Sequence, residues 1–192
     1  MHLPKSRRCY GDLVRNRRYV MFITSAFLQF VLGFVYVNLL EWLIHKYILH
    51  GLGKKKGSFF SFHWHRHHAR CRRYGFHDSD YVEPFKWETT GKEVAGLLLL
   101  VLIHSPLAWF FPWFYVASAI GAGLYYFCHA ISHIHPELGK RFFKHHFDHH
   151  MGTNQDANWC VSYPLWDRIF RTRVKYEYDA NWKVVKKPNT DK

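Results

Sequence analysis

Residues 19–40, YVMFITSAFLQFVLGFVYVNLL, determine the fold class, because these 22 residues include no Asp, Glu, Lys or Arg. A helix rises about 1.5 Å per residue, so the run can cross about 30 Å of hydrocarbon. Its basic flank, residues 1–18, is longer than that of a typical signal peptide, and no small-residue cleavage site follows. We therefore predict a retained membrane-spanning helix over about residues 19–44.

A second apolar segment, residues 94–128, contains 35 residues without a charged side chain. As one helix it would measure roughly 50 Å, which is too long for one span and sufficient for two short ones. Pro106 and Pro112 stand in its middle among four aromatic residues, a composition typical of a turn at the membrane interface. We predict a helical hairpin with spans at 94–109 and 112–128. The alternative is a buried hairpin in a soluble core.

Together these segments predict an all-α integral membrane protein with about three transmembrane helices and a membrane-proximal helical cap. The 192 residues are expected to form a single domain. The net charge of +13 is compatible with nucleic acid or an anionic membrane surface, and the apolar runs favour the membrane, so no nucleic-acid partner is expected. The four cysteines are scattered, which predicts neither disulfides nor a thiolate metal site.

The 16 histidines indicate the chemistry. Ten of them form four clusters at or just beyond the ends of predicted spans: His45 and His50; His63, His67 and His68; His129 and His133; His146, His149 and His150. Steps of three and four residues place the third and fourth clusters each on one helical face. His50 follows His45 by five residues, a turn of about 140° in a helix. We therefore expect a helix end near Gly51 that lets His50 swing back.

Folding the hairpin back brings all four clusters to one side of the membrane, in the regions 45–68 and 129–150. Ten imidazoles exceed what one ion can bind, whereas two ions with about five ligands each would use them all. Imidazole binds Zn, Cu, Fe and Ni, so the residues leave the metal open. Zinc sites normally close at four ligands, and a redox metal fits the larger count better. For any single histidine the alternative is a hydrogen-bonded surface residue.

Two carboxylates are predicted to orient metal-binding imidazoles. Glu41 lies one helical turn before His45, where a charge near the membrane is costly and usually functional; the alternative is an interfacial ion pair with Lys46. Asp148 lies inside the fourth cluster and points away from its histidines. The other histidines have lesser roles: His2 and His77 are expected to be solvated, His104 to pack near the hairpin turn, and His65, His135 and His145 to lie beside ligands.

The spacing H-x4-H, H-x3-H-H, H-x3-H and H-x2-H-H resembles that of the fatty acid hydroxylase/sterol desaturase superfamily. Residues 158–172 are similar to the segment that follows the last histidine box of that family, and the resemblance covers about residues 41–172. It implies a non-haem di-iron centre, lipid substrates, and ligand roles for the ten clustered histidines. In the second box His65 competes with His63 for the leading position. Residues 45–51 also resemble carotenoid hydroxylases of the same superfamily, whose third box is longer.

The resemblance implies an O2-dependent lipid hydroxylase that inserts a hydroxyl group into a C–H bond of an acyl chain, with two Fe ions as cofactor. The alternatives are a carotenoid or sterol hydroxylase or a lipid desaturase of the same superfamily and, from another class, a membrane metal carrier. A separate electron donor is expected, a ferredoxin or a cytochrome b5-type protein with its reductase, since no cytochrome b5-like segment is found. The segments beside the histidines carry 21 Lys and Arg against six in residues 1–18. This bias favours a centre that faces the cytoplasm, in a bacterial inner membrane or an endoplasmic reticulum membrane.

Overall fold

The computed structural model describes residues 5–83 and 85–190, with side chains described for residues 15–83 and 85–185. Two long helices form the stem, α1 (Lys5–Leu43) and α5 (Pro112–Ile134). The shorter helices are α2 (Ala69–Arg73), α3 (Thr90–Ile103), α4 (Leu107–Phe110), α6 (Pro136–Phe142), α7 (Lys144–Met151) and α8 (Leu165–Ile169). Two segments are π-helical, π1 (Ile44–Leu52) and π2 (His63–His68), and Ser79–Tyr81 forms a 3-10 turn.

Small residues let α1 and α5 pack closely against each other. A Cβ atom built on Gly33 would lie 2.7 Å from the Cβ atom of Ala117, and one built on Gly121 would overlap the side chain of Val37. Small residues at such crossings allow two membrane helices to approach each other at backbone distance. The stem therefore depends on these two glycines, and it holds the ends of α1 and α5 side by side.

The outward faces of the stem are apolar and exposed. Arg15–Leu52 and Pro112–Ile134 have the length and hydropathy to cross a membrane. Of the most apolar 18-residue stretch in each, only 6% and 28%, respectively, is buried within the chain. Phe22, Phe27 and Phe127 each expose more than half of their surface. Exposed apolar surface of this extent requires an apolar environment. The two helices therefore indicate a membrane protein.

The predicted hairpin is only partly present. α3 has 14 residues, about 21 Å of helix, which is shorter than the hydrocarbon core of a bilayer. The chain turns at residues 104–106, where Pro106 precedes the four residues of α4, and Pro112 then begins α5. The predicted span at 94–109 is thus not one continuous helix. Among the described residues, two helices rather than three are long and apolar enough to span a bilayer.

A small sheet departs from the all-α prediction. β1 (Val174–Tyr178) and β2 (Val184–Thr190) pair in antiparallel fashion. Val174 and Tyr176 point inward while the residues after them are exposed, the alternation typical of a strand with one buried face. The backbone carbonyl of Tyr176 accepts a 2.7 Å hydrogen bond from Nζ of Lys144 at the start of α7. The sheet therefore covers the outer side of α7.

The segment between α7 and β1 is fixed onto α1. The Asp167 carboxylate accepts hydrogen bonds of 2.8 Å from the backbone N–H groups of Trp159 and Cys160 and one of 2.6 Å from the hydroxyl of Thr172. The indole N–H of Trp42 on α1 donates to the same Thr172 hydroxyl at 3.1 Å. Residues 157–161 are consequently held beside the end of α1, where their carbonyl groups face the histidines.

Candidate metal centre

The ten clustered histidines come together at one end of the stem, and none exposes more than 2% of its surface. They form two groups of potential ligand atoms. The first contains His45, His50, His63, His68 and His149, and the second contains His67, His129, His133 and His150. Nε2 of His146 lies 2.9 Å from Nε2 of His133, which places this tenth imidazole beside the second group.

In the first group the five Nε2 atoms converge. Neighbouring Nε2 atoms lie 3.0–3.2 Å apart in the pairs His45–His63, His50–His68, His63–His68, His50–His149 and His68–His149. Two nitrogens bound to one ion at about 2.1 Å and at right angles would lie about 3 Å apart. The spacing is therefore that of ligands around a common metal ion.

The two π-helices explain how histidines five residues apart reach the same point. A π-helix closes its hydrogen bonds between residues i and i+5, so residues five apart lie on one face. His45 and His50 both lie within π1, and His63 and His68 both lie within π2. The expected helix end at Gly51 is wrong, because π1 continues to Leu52 and its C-cap is Gly53.

The second group combines helical spacing with one residue of π2. His129 and His133 lie one turn apart on α5, as predicted, and α7 supplies His150 beside them. Nε2 of His67, Nε2 of His129 and both ring nitrogens of His150 are buried and have no hydrogen-bond partner among the described residues. Buried polar atoms without a partner are costly, and a bound cation would satisfy them. The residues present therefore fit a metal ion here as well.

Backbone carbonyls hold several imidazoles in the orientation that a ligand needs. Nδ1 of His45 lies 2.6 Å from the Trp159 carbonyl oxygen, and Nδ1 of His149 lies 2.6 Å from that of Ala157. An N–H at Nδ1 that donates to a carbonyl leaves the lone pair of Nε2 for the metal. The segment after α7 thus fixes the tautomer of two imidazoles in the first group.

The carboxylates that contact the imidazoles are not the two predicted. The Glu41 carboxylate accepts hydrogen bonds from the backbone N–H groups of Val161 and Ser162, and not from His45. It therefore acts indirectly, by fixing the segment whose Trp159 carbonyl holds His45. Asp148 faces away from the histidines and pairs with Lys144 and Arg173, so it orients no imidazole.

Asp78 and Glu93 perform the role that was expected of Glu41 and Asp148. Oδ2 of Asp78 lies 2.8 Å from Nδ1 of His67, and Oε1 of Glu93 lies 2.6 Å from Nδ1 of His129. Both imidazoles belong to the second group. The sequence contains a signal for Glu93, since it immediately precedes the apolar segment 94–128, as Glu41 follows the first apolar run.

Burial keeps the imidazoles that lie outside the candidate membrane-spanning segments neutral. It lowers the pKa of the histidines outside the candidate spans below the ordinary value: His63, His67, His68, His146 and His150. It also lowers the pKa of His149 to about 3. At neutral pH they are unprotonated, which is the form that binds metals.

The remaining histidines lie outside the two groups. The structure places His63 rather than His65 in the first group, since His65 is exposed and its Nε2 donates to the Lys54 carbonyl at 3.0 Å. His145 is buried beside α7 and donates to the Val161 carbonyl at 2.7 Å. The others follow: His77 is half-buried, His135 is exposed, His104 contacts Tyr36, and His2 lies outside the described residues.

An apolar cavity of about 350 Å³ reaches the first group. Residues of α1, π1, α3, α5 and the loop before π2 form its walls, and His45 and His63 of the first group are among them. Lys92 also lines the cavity, with Nζ 5.0 Å from the centroid of the Phe59 ring. The cavity could therefore place a long apolar molecule next to a metal ion in the first group.

Fold and site together define a membrane protein with a buried, two-part histidine centre next to an apolar cavity. The model of the fatty acid hydroxylase family matches residues 30–172. The chain therefore belongs to the fatty acid hydroxylase/sterol desaturase superfamily, whose members are oxidoreductases. Neither a comparison with curated proteins nor one with solved structures finds a match.

The contact between Glu93 and His129 leads to a prediction about metal affinity. Glu93→Gln removes the charge that polarises the His129 ring, so the metal affinity of the second group should fall by about 10- to 100-fold. Titration of the purified protein with ferrous ion against a competing chelator measures this affinity. Glu88→Gln, at an exposed position on the loop before α3, is the control and should bind as the wild type does. Equal affinities in the two variants would refute the orienting role of Glu93.

Proposed function

We propose that the protein is an O2-dependent di-iron lipid hydroxylase that inserts a hydroxyl group into a C–H bond of an acyl chain. The observation that carries the proposal is the shared position of His45 and His63, which belong both to the first histidine group and to the wall of the apolar cavity. A lipid chain in this cavity would present its C–H bonds directly to the centre. Family membership supports the same reaction class.

Two groups of about five imidazoles favour iron over zinc, because zinc sites normally close at four ligands. When bound, the two Fe ions would supply O2 activation and removal of hydrogen from carbon. The chain's own residues hold the imidazoles, fix their tautomers and exclude water, since the ten rings are buried. The cavity walls hold the chain in place, and positioning of this kind contributes strongly to catalysis.

The cavity favours an acyl chain as the substrate. Its volume lies at the lower end of the range for ligand pockets, about 300–1,000 Å³, which suits a single flexible chain better than the ring systems of a sterol or a carotenoid. The ammonium of Lys92 would suit a lipid with an acidic head group. A metal carrier would need ligands along a path through the spans, whereas the ten histidines share one end of the stem.

The first test measures metal content and product together. Protein purified in mild detergent should contain close to two iron ions per chain, and cells supplied with 18O2 should produce a lipid with one labelled oxygen atom. His149→Ala should abolish this product, because His149 contacts two other imidazoles of the first group. His65→Ala, outside both groups, serves as the control and should leave the product in place.

The outcomes separate the alternatives. A lipid that has lost two hydrogens and gained no label would identify a desaturase and leave the metal assignment in place. One metal per chain, or full activity with zinc alone, would refute the di-iron centre.

Gly96 provides a test of the cavity. It lines the cavity, and a Cβ atom built there has nothing within 4 Å, so Gly96→Leu should fit the fold and fill part of the space. Turnover of long acyl chains should then fall about tenfold or more, while the iron content stays at the wild-type value. Gly123→Leu is the matched control, because it also meets open space but lies on the exposed face of α5. Unchanged turnover in Gly96→Leu would place the substrate elsewhere.

We further propose a separate acidic electron donor, a ferredoxin or a cytochrome b5-type protein, that docks where Trp64 approaches the surface. The Trp64 ring stacks on the imidazole of His68 with centroids 5.3 Å apart, and Nζ of Lys54 lies 4.5 Å from its centroid. Further exposed cationic residues lie on the loop before π2 and on α2: Lys55, Lys56, Arg72 and Arg73. Basic surfaces speed the association of acidic partners, and Trp64 would connect the partner to the centre.

A donor of this kind requires the centre to face the cytoplasm, and the excess of Lys and Arg in the segments beside the histidines favours the same side. Inverted bacterial inner-membrane vesicles supplied with a reduced [2Fe–2S] ferredoxin should support turnover. Lys55→Glu should slow it several-fold at low salt and less at high salt. Lys183→Glu, exposed on the segment between the strands, is the charge-matched control and should have little effect. If both variants slow turnover equally, the docking site lies elsewhere.

A further inference from the structure

The cavity has a second polar end, opposite to the histidine centre. The hydroxyl oxygen of Tyr36 on α1 lies 2.7 Å from Nε2 of His104, which follows α3. Both residues line the cavity, together with the hydroxyl-bearing side chains of Tyr115 and Ser118 on α5. Tyr36 precedes His45 by nine residues, which corresponds to about 14 Å along a helix. The polar end therefore lies about 14 Å from the first histidine group, a distance that an extended segment of a lipid chain can span.

The second hydrogen bond of His104 determines whether Tyr36 or His104 is the donor in their contact. Nδ1 of His104 lies 2.7 Å from the backbone carbonyl oxygen of Leu100, and only an N–H group can make that bond. Nε2 of His104 is then an acceptor, so the hydroxyl of Tyr36 donates to it. The oxygen of Tyr36 keeps its lone pairs available on the cavity side.

The hydroxyl groups of Tyr115 and Ser118 also act as donors to the protein. Tyr115 donates its proton to the Val101 carbonyl at 3.4 Å, and Ser118 donates to the Phe114 carbonyl at 2.9 Å. Three hydroxyl groups at this end thus have their protons committed to the protein and present acceptor oxygens. In a cavity whose lining is mostly apolar, such acceptors gain most from a ligand that brings an O–H group.

We propose that this end of the cavity is a subsite for a hydroxyl group that the substrate carries about 14 Å from the carbon facing the histidine centre. The distal hydroxyl would donate to the oxygen of Tyr36. A plain methyl end would leave the acceptors unsatisfied, and a carboxylate end would meet only acceptors. The inference rests on the proposed function, which assigns the reacting carbon of an acyl chain to the histidine centre. It narrows the substrate class to acyl lipids with a distal hydroxyl group.

Binding of three acids tests the subsite independently of turnover. Iron-loaded protein in lipid nanodiscs is titrated with dodecanoic acid, with its ω-hydroxy derivative and with the corresponding dicarboxylic acid. The ω-hydroxy acid should bind about two- to tenfold more tightly than dodecanoic acid, the gain expected from one hydrogen bond. The dicarboxylic acid should bind more weakly than dodecanoic acid.

Two variants separate the subsite from a purely structural contact between α1 and α3. Tyr36→Phe removes the acceptor, so the affinities for dodecanoic acid and its ω-hydroxy derivative should become equal. His104→Leu breaks the same contact but keeps the hydroxyl of Tyr36 and frees its proton. This variant should retain the preference for the ω-hydroxy acid and also bind the dicarboxylic acid more tightly than the wild type does.

Each failure has its own meaning. Equal affinity of the wild type for dodecanoic acid and the ω-hydroxy acid would refute the subsite while leaving the acyl-chain cavity in place. Equal loss of preference in Tyr36→Phe and His104→Leu would show that the pair only connects the two helices. If neither acid binds to the wild type, both the subsite and the acyl-chain proposal fail. A missing oxygen label in the product would overturn the proposed reaction and leave the binding result unaffected.

Discussion

The architecture of this protein depends on ten imidazole rings that are buried against one another at the end of a helical stem. Burial lowers the pKa of rings outside the candidate spans, such as His63 and His68, and keeps them neutral, and the Nε2 atoms of the first group lie at about hydrogen-bond distance from each other. Lone pairs at such distances repel, and unpaired polar atoms in a protein interior are costly. Positive charge between the rings removes both costs. The elements around the centre are accordingly arranged to hold rings in place: π1, π2, α7 and the segment 157–161.

Regular helical spacing predicts only half of this arrangement. The steps of His129–His133 on α5 and of His146–His150 on α7 are those of an α-helix, and the structure places them as expected. In an α-helix, the five-residue steps of His45–His50 and His63–His68 would point the two side chains of each pair in different directions. In the structure both pairs lie in π-helices, in which residues five apart share one face, and π-helical turns occur frequently at functional sites. The clustering in the sequence singled out all ten histidines, whereas α-helical geometry alone could not explain how the five-step pairs meet.

Contacts between distant segments account for most of what the sequence did not predict. Glu93 and His129 are 36 residues apart, and a carboxylate next to an apolar run is equally compatible with an interfacial ion pair. His133 donates to the carbonyl of Phe76, which adopts a φ of 69° that is unusual for a large side chain, and nothing in the sequence marks this position. The short sheet differs, because the alternation in Val174–Tyr178 is visible in the sequence. The two apolar runs were sufficient to predict the stem, and the prolines to predict the break before α5.

The two histidine groups have different electrostatic surroundings. In the first group, backbone carbonyls orient His45 and His149, and the carboxylate of Asp156 near His50 is half exposed and paired with Lys54. In the second group, the buried carboxylates of Asp78 and Glu93 face the rings directly. Carboxylate partners make an imidazole a stronger donor to its metal than carbonyl partners do. An ion in the first group would therefore be the more electrophilic of the two, and this is the group whose His45 and His63 rings face the cavity.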